Sequence, residues 1–261
     1  MILALTIWAI TLVTTIAFAG KYWWFPPAAS AHAGRVDGQF VVTLAVTGAV
    51  FLAAQIALGF LILRYRERPG GTAHYSHGNN KLEALWTTLT TVLFFLMVLP
   101  GQGIWADLYI REAPADAIRI EVTGQQFAWN IRYPGADGRF GATRPELMND
   151  SEGNPLGLDA SDPAAEDDLV VPVMAVPINR PIELLLRSKD VTHAFFVREL
   201  RVKQDTVPGL VVPLRFTATR IGRYEVACAE LCGLGHHRMR TFVSVLSEAD
   251  YAKWLADMSE D

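Results

Sequence analysis

Cysteine is scarce in this chain: its 261 residues include only Cys228 and Cys232. Two cysteines four apart cannot build a disulfide framework, so they form one local bridge or they hold a metal. No Cys-x-x-Cys-His run occurs, which excludes a covalently attached c-type haem. A basic stripe interleaved with aromatics is also missing. With 23 Lys and Arg against 27 Asp and Glu, for a formal net charge of −4, the chain does not read as a nucleic-acid binder. Charge of either sign is absent from three long stretches near the N-terminus: Ile2 to Ala19, Gln39 to Leu63 and Ala84 to Ala106.

Those gaps carry the first positive inference. A helix crossing the hydrocarbon of a bilayer needs about 20 apolar residues. Residues 39–63 and 84–106 meet that length and are predicted to span. Residues 1–19 are open to two readings. Ala17-Phe18-Ala19 and Ala31-His32-Ala33 resemble the small-residue cleavage site of a signal peptide, yet no Lys or Arg precedes the apolar run. The cluster Tyr22, Trp23, Trp24, Phe25 would suit a membrane–water interface beside a retained third helix. The connection from Arg64 to Glu83 carries Arg64, Arg66, Arg68 and Lys81, whereas that from Gly20 to Gly38 carries Lys21 and Arg35. The more basic loop stays cytoplasmic, which sends everything after Ala106 to the outer face of the membrane.

From Ala117 to the C-terminus (117–261) the pattern changes to short alternating runs punctuated by Gly, Pro, Asn and Asp. Ala117–Val122, Leu169–Val176, Pro181–Arg187, Leu214–Thr219, Arg223–Ala227 and Thr241–Leu246 are predicted strands. Such runs without intervening helical periodicity imply an antiparallel sandwich or barrel. Ser247-Glu248-Ala249-Asp250 offers an N-cap and first-turn acids to a closing helix through Met258. Residues 145–179 contain no Lys or Arg but eight acids: Glu146, Asp150, Glu152, Asp159, Asp162, Glu166, Asp167 and Asp168. They read as a solvated surface insertion, or as a docking surface for a basic partner.

The chemistry concentrates in one segment. Cys228, Cys232, His236 and Met239 fall within a short loop, and far upstream Asp190-Val191-Thr192-His193 ends a polar turn. Thiolate, imidazole and thioether are the ligand types of copper in electron-transfer sites. Cys-x3-His-x2-Met with a distant His describes a one-copper site. The extra Cys228 allows two sulfurs to bridge two ions. A Cys228–Cys232 disulfide would leave His193, His236 and Met239 unexplained, and a zinc site would ignore Met239. His237 competes with His236 but sits closer to Met239 in sequence.

The run Cys228-x-Glu230-x-Cys232-Gly233-x2-His236-x2-Met239 resembles subunit II of cytochrome c oxidase. Asp190-x2-His193 and Val202-Lys203-Gln204-Asp205-x2-Pro208-Gly209 extend the likeness, which runs from about Gln39 to the C-terminus. The resemblance implies transmembrane helices followed by an all-β, cupredoxin-like sandwich with a short C-terminal helix. It implies a dinuclear copper centre (CuA) bridged by Cys228 and Cys232. His193 and His236 would bind one copper each, with Met239 and the Glu230 carbonyl as weak ligands. The Glu230 side chain would hold a magnesium or manganese ion shared with the haem-bearing subunit I, as suits a hard cation. It also implies a subunit of the inner (plasma) membrane that takes electrons from a cytochrome c-type donor for the reduction of oxygen.

Further residues follow from the same likeness. Gly124-Gln125-Gln126-Phe127-Ala128-Trp129 looks like the family's aromatic run, which receives the electron. Phe127 stands where the family often has Trp, and Ala128 where it has an aromatic, leaving Trp129 as the retained ring. Glu83 is similar to the family's acid at the mouth of a proton channel, though a carboxylate there also complements a helix dipole. Asp190, three residues before His193, is expected to help dock the donor. The competing reading is a membrane-anchored copper carrier, which would need exposed, exchangeable ligands.

Overall fold

The computed structural model describes residues 1–20, 25–72 and 75–259. Tyr22, Trp23 and Trp24 of the expected interfacial cluster therefore lie outside the described residues. The chain divides into two compact units. One comprises Met1–Phe25 with Arg35–Gly103, the other Pro26–Gly34 with Ile104–Asp261.

The first unit is helical and holds α1 (Ile2–Ala19) and most of α2 (Ala33–Arg64) and α3 (Asn80–Tyr109). All three are long and apolar enough to cross a membrane. Their surfaces bear exposed Ile2, Leu85, Phe94 and Leu96, a density of bare hydrocarbon that water would penalise and lipid or protein neighbours would not. Trp8 Nε1 of α1 donates to the Gln55 carbonyl of α2 at 3.2 Å, and Gln39 of α2 donates to the Met97 carbonyl of α3 at 2.8 Å. Both α2 and α3 outrun the apolar stretches that predicted them. Hydropathy marks the segment that must avoid water, whereas helical hydrogen bonding continues until a cap stops it. For α3 that cap is Asn79, whose Oδ1 accepts from the backbone of Lys81 and Leu82 at 3.1 Å each. Pro100 sits inside α3, where it removes the hydrogen bond to the carbonyl four residues earlier.

The second unit is a two-sheet sandwich. Its strands are β1 (Ile118–Gln125), β2 (Ala128–Tyr133), β3 (Leu169–Val171), β4 (Met174–Pro177) and β5 (Pro181–Ser188). They continue with β6 (His193–Val197), β7 (Val202–Thr206), β8 (Val212–Thr217), β9 (Gly222–Cys228) and β10 (Arg240–Leu246). One sheet has the order β3-β2-β1-β5-β8 and the other β4-β10-β9-β6-β7. Inward residues of both sheets, among them Ile120, Val122, Ile131, Leu184, Leu186, Phe195, Val226 and Val243, form one buried core.

Two details depart from the sequence reading. The sandwich is not wholly antiparallel: β1 runs parallel to β5, from Ile118 opposite Ile182 to Gly124 opposite Ser188, and β10 runs parallel to β4. The long excursion between β1 and β5 visits the other sheet before returning, which parallel pairing requires. The expected single strand Leu169–Val176 is two strands in different sheets. Pro172 has no N–H for a ladder, and the chain changes sheet there; the Thr241 hydroxyl bonds the Pro172 carbonyl.

Three further features frame the site. The segment from Pro26 to Gly34 is stitched to the sandwich: Ala29 N–H donates to Glu199 O at 2.9 Å and Ser30 Oγ to Leu200 O at 2.7 Å. His32 and Ala33 of the second cleavage-like triplet are buried there. The acid-rich insertion is folded, with Asp162 capping the turn Pro163–Ala165 and accepting from Ala142 N–H at 2.7 Å. Its base is fixed by Arg132, 1% exposed, which bonds Glu121 at 3.0 Å, the Gly141 carbonyl at 2.6 Å and the Asp168 carboxylate. The closing helix α4 (Glu248–Ser259) starts on Ser247, whose Oγ accepts from Asp250 N–H at 3.1 Å, and packs Trp254 on Tyr133.

Candidate metal centre

The loop joining β9 to β10 closes on itself at its two ends. Cys228 N–H donates to the Met239 carbonyl at 3.1 Å, so the last residue of β9 and the residue before β10 are held together. Between them one tight turn, His236–Arg238, brings His236 back over Cys232. From the neighbouring strand, β6, comes His193, whose side chain is entirely buried. Gly124 at the end of β1 lets that imidazole in, because a Cβ there would come within 2.8 Å of the ring.

Six groups converge as a result. Cys228 Sγ lies 3.8 Å from Cys232 Sγ, 4.0 Å from His193 Nδ1 and 3.2 Å from the Glu230 carbonyl. Cys232 Sγ lies 3.6 Å from His236 Nδ1 and 3.8 Å from Met239 Sδ. The ligand atoms of His193, Cys228 and Cys232 all fall within 4.8 Å of one another, as a metal site requires. Both cysteines are free thiols. Burial, added to by the neighbouring Cys228, pushes the Cys232 thiol up to about 11. A cation between the sulfurs would offset that cost, since the thiolate is the ligand form.

The donor set decides the class of metal. Two soft sulfurs, two imidazoles and a buried thioether suit copper, whereas zinc would leave Met239 without a purpose. His237, the rival imidazole, is exposed, while His236 faces Cys232.

A further group supports the ligands from behind. Asp190 Oδ1 lies 2.8 Å from His193 Nε2, which turns Nδ1 towards the sulfurs, and also accepts from Val191 N–H at 2.6 Å. Asp190 Oδ2 accepts from Gln126 N–H at 2.7 Å. Burial acts to raise the Asp190 carboxyl, but the Gln126, His193 and Val191 bonds outweigh it and hold the group below the usual carboxylate range. Asp190 is an exposed residue, its side chain 31% accessible, and its carboxylate is also placed to orient an imidazole.

The remaining expected residues divide by location. Phe127 is 38% exposed and its ring rests against Gly233 and Gly235 of the metal loop. Trp129 is buried behind it, its ring centroid 6.0 Å from His193 and 5.8 Å from Phe195. The Glu230 side chain is exposed, away from the sulfurs that its carbonyl meets. Glu83 lies in the first turn of α3, outside this site. Sequence reasoning missed Gln126, whose Nε2 donates to the Cys232 carbonyl. The repeated glutamine before an aromatic turn was the available signal.

Comparison with known proteins agrees with this geometry. Residues 118–246 match the family described as cytochrome C oxidase subunit II, periplasmic domain, and residues 6–103 match its transmembrane domain. The alternative cytochrome c oxidase subunit 2 of Bradyrhizobium diazoefficiens is 37% identical over 98% of this chain and 91% of its own length. The cytochrome c oxidase subunit 2 of Synechocystis is 29% identical over 98% and 82% respectively. Among solved structures, the periplasmic domain of subunit II of a Bradyrhizobium japonicum cytochrome oxidase resembles 57% of this chain and 98% of its own, at 29% identity and a TM-score of 0.42. With both halves matched in order, and a relative aligned along almost the whole length, the chain belongs to the cytochrome c oxidase subunit II family and is a subunit of an oxidoreductase.

Proposed function

We propose that this subunit receives electrons from a cytochrome c-type donor at a dinuclear copper centre and delivers them to the haem of a partner subunit that reduces oxygen to water. The observation that carries the reading is the pairing of donors. Each sulfur has its own imidazole, Cys228 with His193 and Cys232 with His236, and the two sulfurs face each other at 3.8 Å. Cys228 and Cys232 would bridge two coppers, with His193 and His236 as terminal ligands and Met239 and the Glu230 carbonyl as weak ones. When bound, the copper pair supplies a one-electron redox centre.

The chain's own residues prepare that site. Burial of His193, Cys232 and Met239 excludes water and rigidifies the ligands, which does not suit a copper carrier with exchangeable groups. Asp190 holds the His193 ring in one orientation. Phe127 is the ring that a donor meets first, and Trp129 is the buried ring behind the ligands. The exposed Glu230 carboxylate suits a magnesium or manganese ion shared with the haem-bearing subunit. Glu83, at the start of a spanning helix, would admit protons. In this reading α1 is a third span, the loop 65–79 faces the cytoplasm, and the copper unit lies outside the inner (plasma) membrane.

Purification of the complex through a tag on this chain tests the proposal. Haem-bearing protein should co-purify, and the complex should oxidise reduced cytochrome c with consumption of oxygen. A chain that purifies alone with copper that a chelator strips rapidly would overturn it in favour of a carrier.

A further inference from the structure

Two successive glutamines hold the turn between β1 and β2 from opposite sides. Gln125 faces the acid-rich insertion: its Nε2 donates to Asp150 at 3.1 Å, and its Oε1 accepts from Lys189 Nζ at 3.0 Å. Gln126 faces the metal loop, with its side-chain Nε2 on the Cys232 carbonyl and its backbone N–H on Asp190. The next residue, Phe127, carries a half-exposed ring that lies on Gly233 and Gly235. Gly235 is needed for that seat, since a Cβ there would run into the ring.

Phenylalanine differs from tyrosine and tryptophan in having no polar handle. Its ring cannot secure its own orientation with a hydrogen bond, and Ala128, which follows, is exposed and has no ring to stack. The orientation of Phe127 must therefore come from the backbone before it. The carbonyl of Cys232 requires a donor, and Gln126 supplies an uncharged one. A carboxylate of the same shape would set oxygen against oxygen.

We propose that Gln126 is a positioning residue for electron uptake: by tying the β1–β2 turn to the Cys232 carbonyl, it keeps the Phe127 ring seated over the metal loop. The inference rests on reading the site as the place where a donor delivers electrons. In each event the donor is oxidised by one electron and the centre is reduced by one. Gln126 exchanges neither electron nor proton, and acts only through the distance and orientation of Phe127.

The test uses the full-length chain with 4-fluorophenylalanine in place of Phe127, both free of metal and in the copper-loaded oxidase. In the metal-free chain the fluorine resonance should stand away from that of a solvent-exposed ring. Gln126→Glu and Gln126→Ala should each move it towards the exposed position. In the loaded oxidase both variants should keep their copper content and visible spectrum. Their limiting rate of donor oxidation should fall severalfold with KM little changed, because electron transfer slows steeply with distance while the surface a donor meets is otherwise kept. A fluorine shift and a limiting rate both unaltered in the two variants would overturn the proposal. So would loss of copper in both, which would make Gln126 a structural prop of the site. Because the metal-free measurement stands alone, a chain that bound no copper would sink the functional reading while a Gln126-dependent shift still supported the clamp.

Discussion

Replacing Asp190 by asparagine is the sharpest test of how the ligands are supported. The carboxylate accepts three hydrogen bonds on two oxygens, from Val191 N–H at 2.6 Å, Gln126 N–H at 2.7 Å and His193 Nε2 at 2.8 Å. An amide of the same shape has one oxygen. Whichever way the new amide turns, its NH2 group confronts at least one N–H, so one hydrogen bond is lost together with the charge. A hydrogen bond to a charged group is worth about 1.5–3 kcal/mol. Substitutions behind a metal ligand weaken metal affinity about 10- to 100-fold. At about 1.4 kcal/mol per decade, the upper end is about 2.8 kcal/mol, which agrees with the loss of one such bond. Wild-type and Asp190→Asn chains, loaded with copper, would be titrated against a chelator while the visible spectrum is followed. The expected outcome is an about 10- to 100-fold weaker copper affinity and a shifted spectrum, with a larger loss in Asp190→Ala. Affinity and spectrum both at the wild-type level would refute the orienting role and return Asp190 to the donor-docking surface.

Other substitutions probe separate parts of the account. Arg132→Met leaves the buried Asp168 carboxylate without its cation and with only the Gly141 N–H at 2.9 Å, while Glu121 keeps Arg187 at 3.0 Å. Breaking a buried pair costs about 3–5 kcal/mol, so calorimetry should record a fall in melting temperature of roughly 10 °C; a change within about 2 °C would mean the triad is solvated. Met239→Leu should keep the copper but move its reduction potential, because a weak ligand tunes more than it holds, and an unmoved potential would strike Met239 from the ligand set. Glu83→Gln should slow steady-state turnover of the assembled oxidase with copper content unchanged, whereas normal turnover would leave Glu83 as a partner of the α3 dipole.

How much of this was legible in the sequence depends on how local each feature is. Cys228, Cys232, His236 and Met239 share one short loop, so their chemistry could be read directly. His193 lies on another strand, and the sequence connected it to them only as the distant imidazole that such a ligand set needs, with the resemblance to a known pattern supporting the link. The three helices were legible as charge-free stretches, and α1 keeps the bounds of its stretch, but the ends of α2 and α3 were not legible, because helical hydrogen bonding runs on through charged residues such as Arg35 and Lys81. Alternation along β1 or β10 reports which face is buried and says nothing of which strand lies alongside, so the parallel pairing of β1 with β5 stayed hidden. Arg132 was missed because Trp129-Asn130-Ile131-Arg132-Tyr133 does not look like a strand with a cation pointing inward. The absence of any Lys or Arg across residues 145–179 was the clue that a cation from elsewhere had to meet those acids. Asp190 was noticed for its place three residues before His193, and a docking role was expected of it; the three hydrogen bonds of its carboxylate, which no sequence pattern announces, add a role in holding the imidazole.

The central claim is that two sulfurs hold two coppers, and electron spin resonance of the purified complex with metal analysis tests it most directly. The account predicts two coppers in this subunit and a signal whose hyperfine splitting is shared between both nuclei, lost in Cys228→Ser and in Cys232→Ser. One copper with its splitting confined to a single nucleus, or zinc in its place, would contradict it.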